Sequence, residues 1–180
     1  QQGLIKRVLD LGAHGILVPL VRNHHDVERA FQFARYPMRG LRGVGGERAV
    51  KWGLGMKDYL ACANEEILVI PMIETRDSVE NIDAILQTKG VEAIFFGPAD
   101  LSASHGYLGD WEGPGIARQI LNVQKKAAAK GIAAGISTRN VGESIKRRNQ
   151  GFGLVGLGSD MSLMLRALQE NLEKLGSITK

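Results

Sequence analysis

Cysteine is nearly absent: the 180-residue chain holds one, Cys62. An internal disulfide and a cysteine-rich metal centre are therefore excluded, and the usage points to a reducing, cytoplasmic setting. Cys62 lies in a helical stretch and is expected to be a small buried apolar residue. Aromatic residues make up only 6% of the chain, which argues against a stacking platform for single-stranded nucleic acid. No apolar run reaches the roughly 18 residues that a membrane span needs. The opening residues Gln1 to Lys6 lack the apolar core of a signal peptide and no Met leads them, so the chain reads as a processed or partial product. A concentrated charge is missing too. The net charge is +4 and the isoelectric point about 9.3, but the basic residues are scattered, with one tight cluster at Lys146-Arg147-Arg148. That spread gives no nucleic-acid or membrane footprint and suits a small acidic substrate.

What is present is ordinary for one globular domain: 44% hydrophobic and 23% charged residues. Five apolar runs stand out, over 15–20, 67–73, 91–96, 132–136 and 154–157. None alternates polar with apolar, as expected of strands covered on both faces. Helical patterns lie between them, over 5–12, 26–35, 57–65, 78–89, 115–130, 141–149 and 161–175. Gly12, Gly90, Gly131 and Gly151 fall just past helices, where a left-handed cap is wanted. Asp77 or Ser78 is expected to cap the helix after Glu74, and Asn140 the one at Val141.

Repeated βα units imply a parallel sheet, either open and doubly wound or closed as a barrel. A complete (β/α)₈ barrel takes about 250 residues, roughly 31 per unit, so a chain of this length holds about five to six units. A leading helix followed by five units reads as one α/β domain over residues 1–180, a TIM barrel lacking roughly its first three strands.

Two carboxylates occupy matching places. Glu74 closes the run Ile67–Ile73, and Asp100 follows Val91–Phe96 by way of Gly97-Pro98-Ala99. A helix lies between the runs, so the strands are parallel and both acids emerge at the same end of the sheet. Two oxygen ligands there suit a hard cation, Mg²⁺ or Mn²⁺. Asp100 is alternatively a helix cap. The amides of Ala99 and Asp100, in a tight turn, can hold a carboxylate. The glycine-rich stretch Gly40–Gly46 matches neither a dinucleotide fingerprint nor a Walker loop. Arg42 and Arg48 beside it steady either a carboxylate or their own loop. His14, His24, His25 and His105 read as solvated, and no second histidine at ligand spacing supports zinc. No Ser-His-Asp set is visible, and no strand carries a lysine for imine chemistry.

Three segments then become recognisable: Gly40-Leu41-Arg42-Gly43-Val44-Gly45, Pro71-Met72-Ile73-Glu74-Thr75 and Phe96-Gly97-Pro98-Ala99-Asp100-Leu101-Ser102. In order and spacing, along essentially the whole chain, they resemble the HpcH/HpaI aldolases. The resemblance implies a pyruvate/phosphoenolpyruvate-type barrel and a class II, divalent-metal-dependent aldolase, with Co²⁺ a further candidate metal. It implies cleavage of a 4-hydroxy-2-oxo acid to pyruvate and an aldehyde in a cytoplasmic homo-oligomer, a hexamer in full-length relatives. It makes Glu74 and Asp100 metal ligands, Ala99 and Asp100 the donors to the pyruvate carboxylate, and Arg42 a substrate contact. Asp10 matches an acid that supports the catalytic histidine; otherwise it is a surface acid near a helix end. Met72 stands where many members carry a substrate-contacting Gln. The family's histidine base and its enolate-stabilising arginine lie on early strands and match no residue here, so the chain alone is expected to be inactive. Other readings are a non-catalytic metal- or oxo-acid-binding fragment, an acyl-CoA lyase of the citrate lyase β-subunit type, and an open sheet binding phosphate through Gly40–Gly46.

Overall fold

The five apolar runs form five parallel strands whose order in the sheet is their order in the chain. The computed structural model describes residues 2–178. The strands are β1 (Gly15–Val18), β2 (Leu68–Ile73), β3 (Ala93–Phe96), β4 (Ala133–Thr138) and β5 (Leu154–Leu157). A doubly wound sheet reverses its strand order at a switch point. No reversal occurs among these five, which excludes the open doubly wound sheet and leaves an arc of a (β/α) barrel.

The helices are α1 (Gln2–Asp10), α2 (His24–Ala34), α3 (Met56–Glu66), α4 (Arg76–Glu80), α5 (Ile82–Gln87), α6 (Pro98–Ser104), α7 (Ile116–Ala129), α8 (Val141–Asn149) and α9 (Asp160–Ile178). A 3₁₀ segment spans Arg48–Gly53. One core joins Ile73, Ile94, Phe96 and Ile136 of the sheet to Ile85 of α5 and Ile120 of α7. A second joins Leu9, Ile16, Ala34, Tyr36 and Val69. Each fully buried Leu, Ile, Val or Phe side chain among these stabilises the fold by about 1.5–3 kcal/mol. The edge strands show the outcome of their position: Leu17 of β1 and Leu154 of β5 are exposed, while β3 is covered on both faces.

Several local expectations change. The helix expected over 78–89 breaks at Asn81, which takes φ −95° and ψ 14° and separates α4 from α5. Its cap is Thr75, not Asp77 or Ser78: Thr75 Oγ1 accepts from Ser78 N at 3.1 Å, and Ser78 Oγ accepts from Thr75 N at 3.2 Å. Asn140 does cap α8, its Oδ1 accepting from Glu143 N at 2.9 Å. Cys62 is half-buried rather than a core residue, because α3 turns Ala63 inward. All four glycines expected at helix ends have positive φ. The last helix, α9, keeps Met164, Leu165, Leu168 and Leu172 exposed.

Candidate active site at the ends of β2 and β3

The register of two adjacent strands builds the site. Ile73 of β2 pairs with Phe96 of β3. One step further along each strand, Glu74 stands across from Gly97. A side chain at Gly97 would collide with Glu74 Oε2 and stand 3.1 Å from its Cβ. Only a residue without Cβ lets the carboxylate lie over the start of the next segment. That segment is α6, with Pro98 at its first position and Asp100 in its first turn. Asp100 is thus a helical residue rather than part of an open turn.

Glu74 is only 3% exposed. Its one hydrogen bond among the described residues comes from Leu20 N–H, 2.7 Å from Oε1. Leu20 takes φ 56°, a left-handed conformation costly for a branched residue, and so directs its amide at the acid. Thr75 Oγ1 donates to Val21 O at 3.1 Å and fastens the same two loops together. Burial pushes the Glu74 carboxyl above its ordinary 4.5; the Leu20 N–H opposes the shift and the Asp100 charge adds to it. The two acids therefore feel each other, with no lysine or arginine bonded to either among the described residues. A pair of hard oxygen donors, one buried, mutually repelling and uncompensated, fits a divalent cation. The amides of Ala99 and Asp100 have no acceptor among the described residues. Met72, two residues before Glu74 on β2, shares its face of the strand and is half-buried.

Asp10 and Arg42 form a second cluster. Asp10, at the end of α1, is 7% exposed, so it is not a surface acid. Arg42 Nη2 donates to Asp10 Oδ1 at 2.8 Å, and Lys6 bonds the other oxygen. Arg42 is fully buried, its guanidinium 4.5 Å from the centre of the Tyr36 ring and also bonded to Tyr59 OH. Burial disfavours its charge, but Asp10 and Tyr59 outweigh that and raise its pKa. The carboxylate Arg42 steadies is thus Asp10's, and in this state its guanidinium is closed off from a substrate. Gly43 and Gly45 lie against Lys6, which gives the glycine-rich stretch a packing role over this pair.

Against the expectation for histidine, His24, His25 and Glu28 at the start of α2 have ligand atoms within 4.8 Å of one another. The group is mostly exposed and shares no residue with the Glu74–Asp100 pair. The sequence reading did not single out Gly97 or Leu20. The strand register makes Gly97 legible in hindsight, whereas nothing about a leucine signals positive φ.

The profile of the HpcH/HpaI aldolase/citrate lyase family matches residues 1–167. This chain belongs to that family. It is 37% identical over 173 residues to a hydroxypyruvate/pyruvate aldolase of Chromohalobacter salexigens, covering 95% of this chain and 68% of that protein. It is 39% identical over 173 residues to a 2-keto-3-deoxy-L-rhamnonate aldolase of Klebsiella pneumoniae, covering 95% of this chain and 64% of that protein. A crystal structure of an HpcH/HpaI aldolase/citrate lyase family protein of Burkholderia cenocepacia superposes with a TM-score of 0.89 at 34% identity, covering 97% of this chain and 70% of that one. The chain thus spans about two thirds of the length of these HpcH/HpaI relatives.

Proposed function

We propose that this chain carries the metal- and pyruvate-binding part of a carbon–carbon lyase. The reaction is cleavage of a 4-hydroxy-2-oxo acid into pyruvate and an aldehyde, and the reverse addition. The observation that carries this reading is the buried Glu74 carboxylate, laid over Gly97 and facing the charge of Asp100. The relatives named as aldolases support the reaction class.

Glu74 and Asp100 would hold Mg²⁺ or Mn²⁺, with Co²⁺ a further candidate. A divalent cation, when bound, supplies Lewis-acid polarisation of the 2-oxo group. The chain's own residues bind and orient. The free amides of Ala99 and Asp100 take the pyruvate carboxylate, fixing the oxo acid beside the acid pair. The left-handed turn at Leu20 fixes the Glu74 rotamer, so the pair is arranged before substrate arrives. Met72 offers an apolar wall on the same face of β2. Asp10 is held in a single orientation by Lys6 and Arg42, the condition for positioning a neighbouring base. That makes Arg42 a positioning residue rather than a substrate contact.

We place the protein in the cytoplasm as a homo-oligomer. The leucines exposed along α9 are the apolar surface available for self-association.

Calorimetric titration of EDTA-stripped protein tests the reading. Mn²⁺ is expected to bind first, and pyruvate to bind only afterwards, with both events lost in Asp100→Asn. Pyruvate binding of equal strength in EDTA would overturn it.

A further inference from the structure

The start of α2 gathers three metal-ligating side chains that the lyase reading leaves unused, those of His24, His25 and Glu28. His25 Nδ1 lies 3.2 Å from Glu28 Oε2. The His24 ring packs beside that of His25, with centroids 3.9 Å apart and planes inclined by 39°. Neighbouring positions on a helix do not ordinarily face each other. Here both rings and the carboxylate bring ligand atoms within 4.8 Å of one another. The backbone beneath them is fixed by three hydrogen bonds. Asn23 Oδ1 accepts from Asp26 N at 3.2 Å, Asp26 Oδ2 accepts from Arg22 N at 3.0 Å, and Asn81 Nδ2 donates to Arg22 O at 3.2 Å. The His25 and Glu28 side chains are 72% and 51% exposed, so their contact adds little to stability. The His24 ring nitrogens have no hydrogen-bond partner among the described residues.

We propose that His24, His25 and Glu28 form a second metal site, for a borderline transition cation of the Zn²⁺ and Cu²⁺ class. Zinc bonds imidazole nitrogen and carboxylate oxygen at about 2.0–2.2 Å, which sets two such atoms of a tetrahedral site about 3.4 Å apart. The His25–Glu28 separation of 3.2 Å is already near that spacing. The His24 nitrogen, within 4.8 Å of both, closes the remaining gap by side-chain rotation. Two imidazoles and one carboxylate are softer donors than the oxygens of Glu74 and Asp100, and they select Zn²⁺, Ni²⁺ or Cu²⁺ over Mg²⁺ and Mn²⁺. Three protein ligands leave a fourth position to water. The helix dipole opposes a cation at this end of α2, and the carboxylates of Asp26 and Glu28 offset it. Because α2 begins at the end of the sheet where β1 finishes, the ion stands on the same rim as Glu74. It needs neither Glu74 nor Asp100, so the site is independent of the lyase reading.

The experiment uses the full chain, stripped with EDTA and then freed of it, with Cu²⁺ and Zn²⁺ as probes. Substoichiometric Cu²⁺ is expected to give an electron paramagnetic resonance spectrum split by imidazole nitrogen, since the side chains of Glu74 and Asp100 offer only oxygen. The splitting is lost in the double variant His24→Gln/His25→Gln. Calorimetry with Zn²⁺ shows a binding event that the double variant loses. Glu28→Gln weakens it at least about tenfold, because even residues that only orient a ligand are worth about 10–100-fold. Dichroism and melting in EDTA stay those of the parent in both variants, because the replaced side chains stand at the surface. Absence of Zn²⁺ binding to the parent overturns the site. So does nitrogen splitting that survives in the double variant, or a Zn²⁺ affinity that either variant leaves unaltered. Zn²⁺ uptake lost in Asp100→Asn and kept in the double variant assigns the ion to the acid pair and overturns the second site alone.

Discussion

Replacing Glu74 with Gln gives opposite results with and without metal. Glu74 is enclosed, faces Asp100, and has one hydrogen bond, from Leu20 to an oxygen that glutamine retains. In metal-free protein the folded carboxyl keeps its proton to a higher pH than the unfolded chain does. Between the ordinary 4.5 and that raised value, folding takes up a proton, so stability falls as pH rises through the window and then levels off. Glu74→Gln has no such proton. The difference between parent and variant should therefore be flat below 4.5 and move in favour of the variant above it. Metal reverses the ranking. At 100 times its dissociation constant, a cation bound only to the folded state stabilises by about 2.7 kcal/mol. For a chain of this length that is roughly 5–11 °C in Tm. The variant, with one ligand oxygen exchanged for an amide, should lose most of that shift. Thermal melts followed by circular dichroism, in EDTA and in Mn²⁺ at several pH values, read both effects. A full Mn²⁺ shift in Glu74→Gln, or a parent more stable than the variant in EDTA above the window, would refute the reasoning.

Gly97→Ala should weaken Mn²⁺ binding by at least about tenfold while far-ultraviolet dichroism stays that of the parent, because the new methyl strikes the Glu74 carboxylate and no strained backbone is involved. Unaltered Mn²⁺ affinity in that variant would remove Glu74 from the site. Arg42→Met leaves Asp10 buried without its guanidinium and should cost about 3–5 kcal/mol in urea unfolding. A loss below about 1 kcal/mol would show that Lys6 alone suffices to hold Asp10. Sedimentation velocity should show the parent self-associating and the triple substitution of Leu165, Leu168 and Leu172 to Ser dissociating it. Identical profiles would move the association surface elsewhere.

The inner strands were legible because their residues obey one rule, which the edge strands β1 and β5 follow in sequence but not in burial. Ile73, Ile94, Phe96 and Ile136 belong to runs with no polar alternation, and strands covered on both faces read that way. Chain-ordered strands, by contrast, follow from pairing, which no local pattern encodes. The break at Asn81 was hidden because Asn is tolerated inside a helical pattern, and Thr75 was passed over as a cap in favour of its neighbours. At the site, Glu74 and Asp100 announced themselves by ending apolar runs, and their mutual influence follows from the register of Ile73 with Phe96. The fate of Arg42 was half visible: loop tether and carboxylate holder turned out to be one role, because the carboxylate lies 32 residues earlier on α1. Glu28 meets His24 and His25 because residues four and three apart are neighbours on the surface of α2. The contact of Trp111 with Glu143 escaped notice for a different reason: Trp111 lies between α6 and α7 and Glu143 in the first turn of α8, and the β3–β4 pairing brings the two segments together.

The most direct measurement is an anomalous-difference map from crystals of this chain grown with Mn²⁺. The account predicts one strong peak within coordination distance of both a Glu74 oxygen and an Asp100 oxygen, absent in Glu74→Gln. A peak confined to His24, His25 and Glu28, or one that touches only a single member of the acid pair, would contradict it.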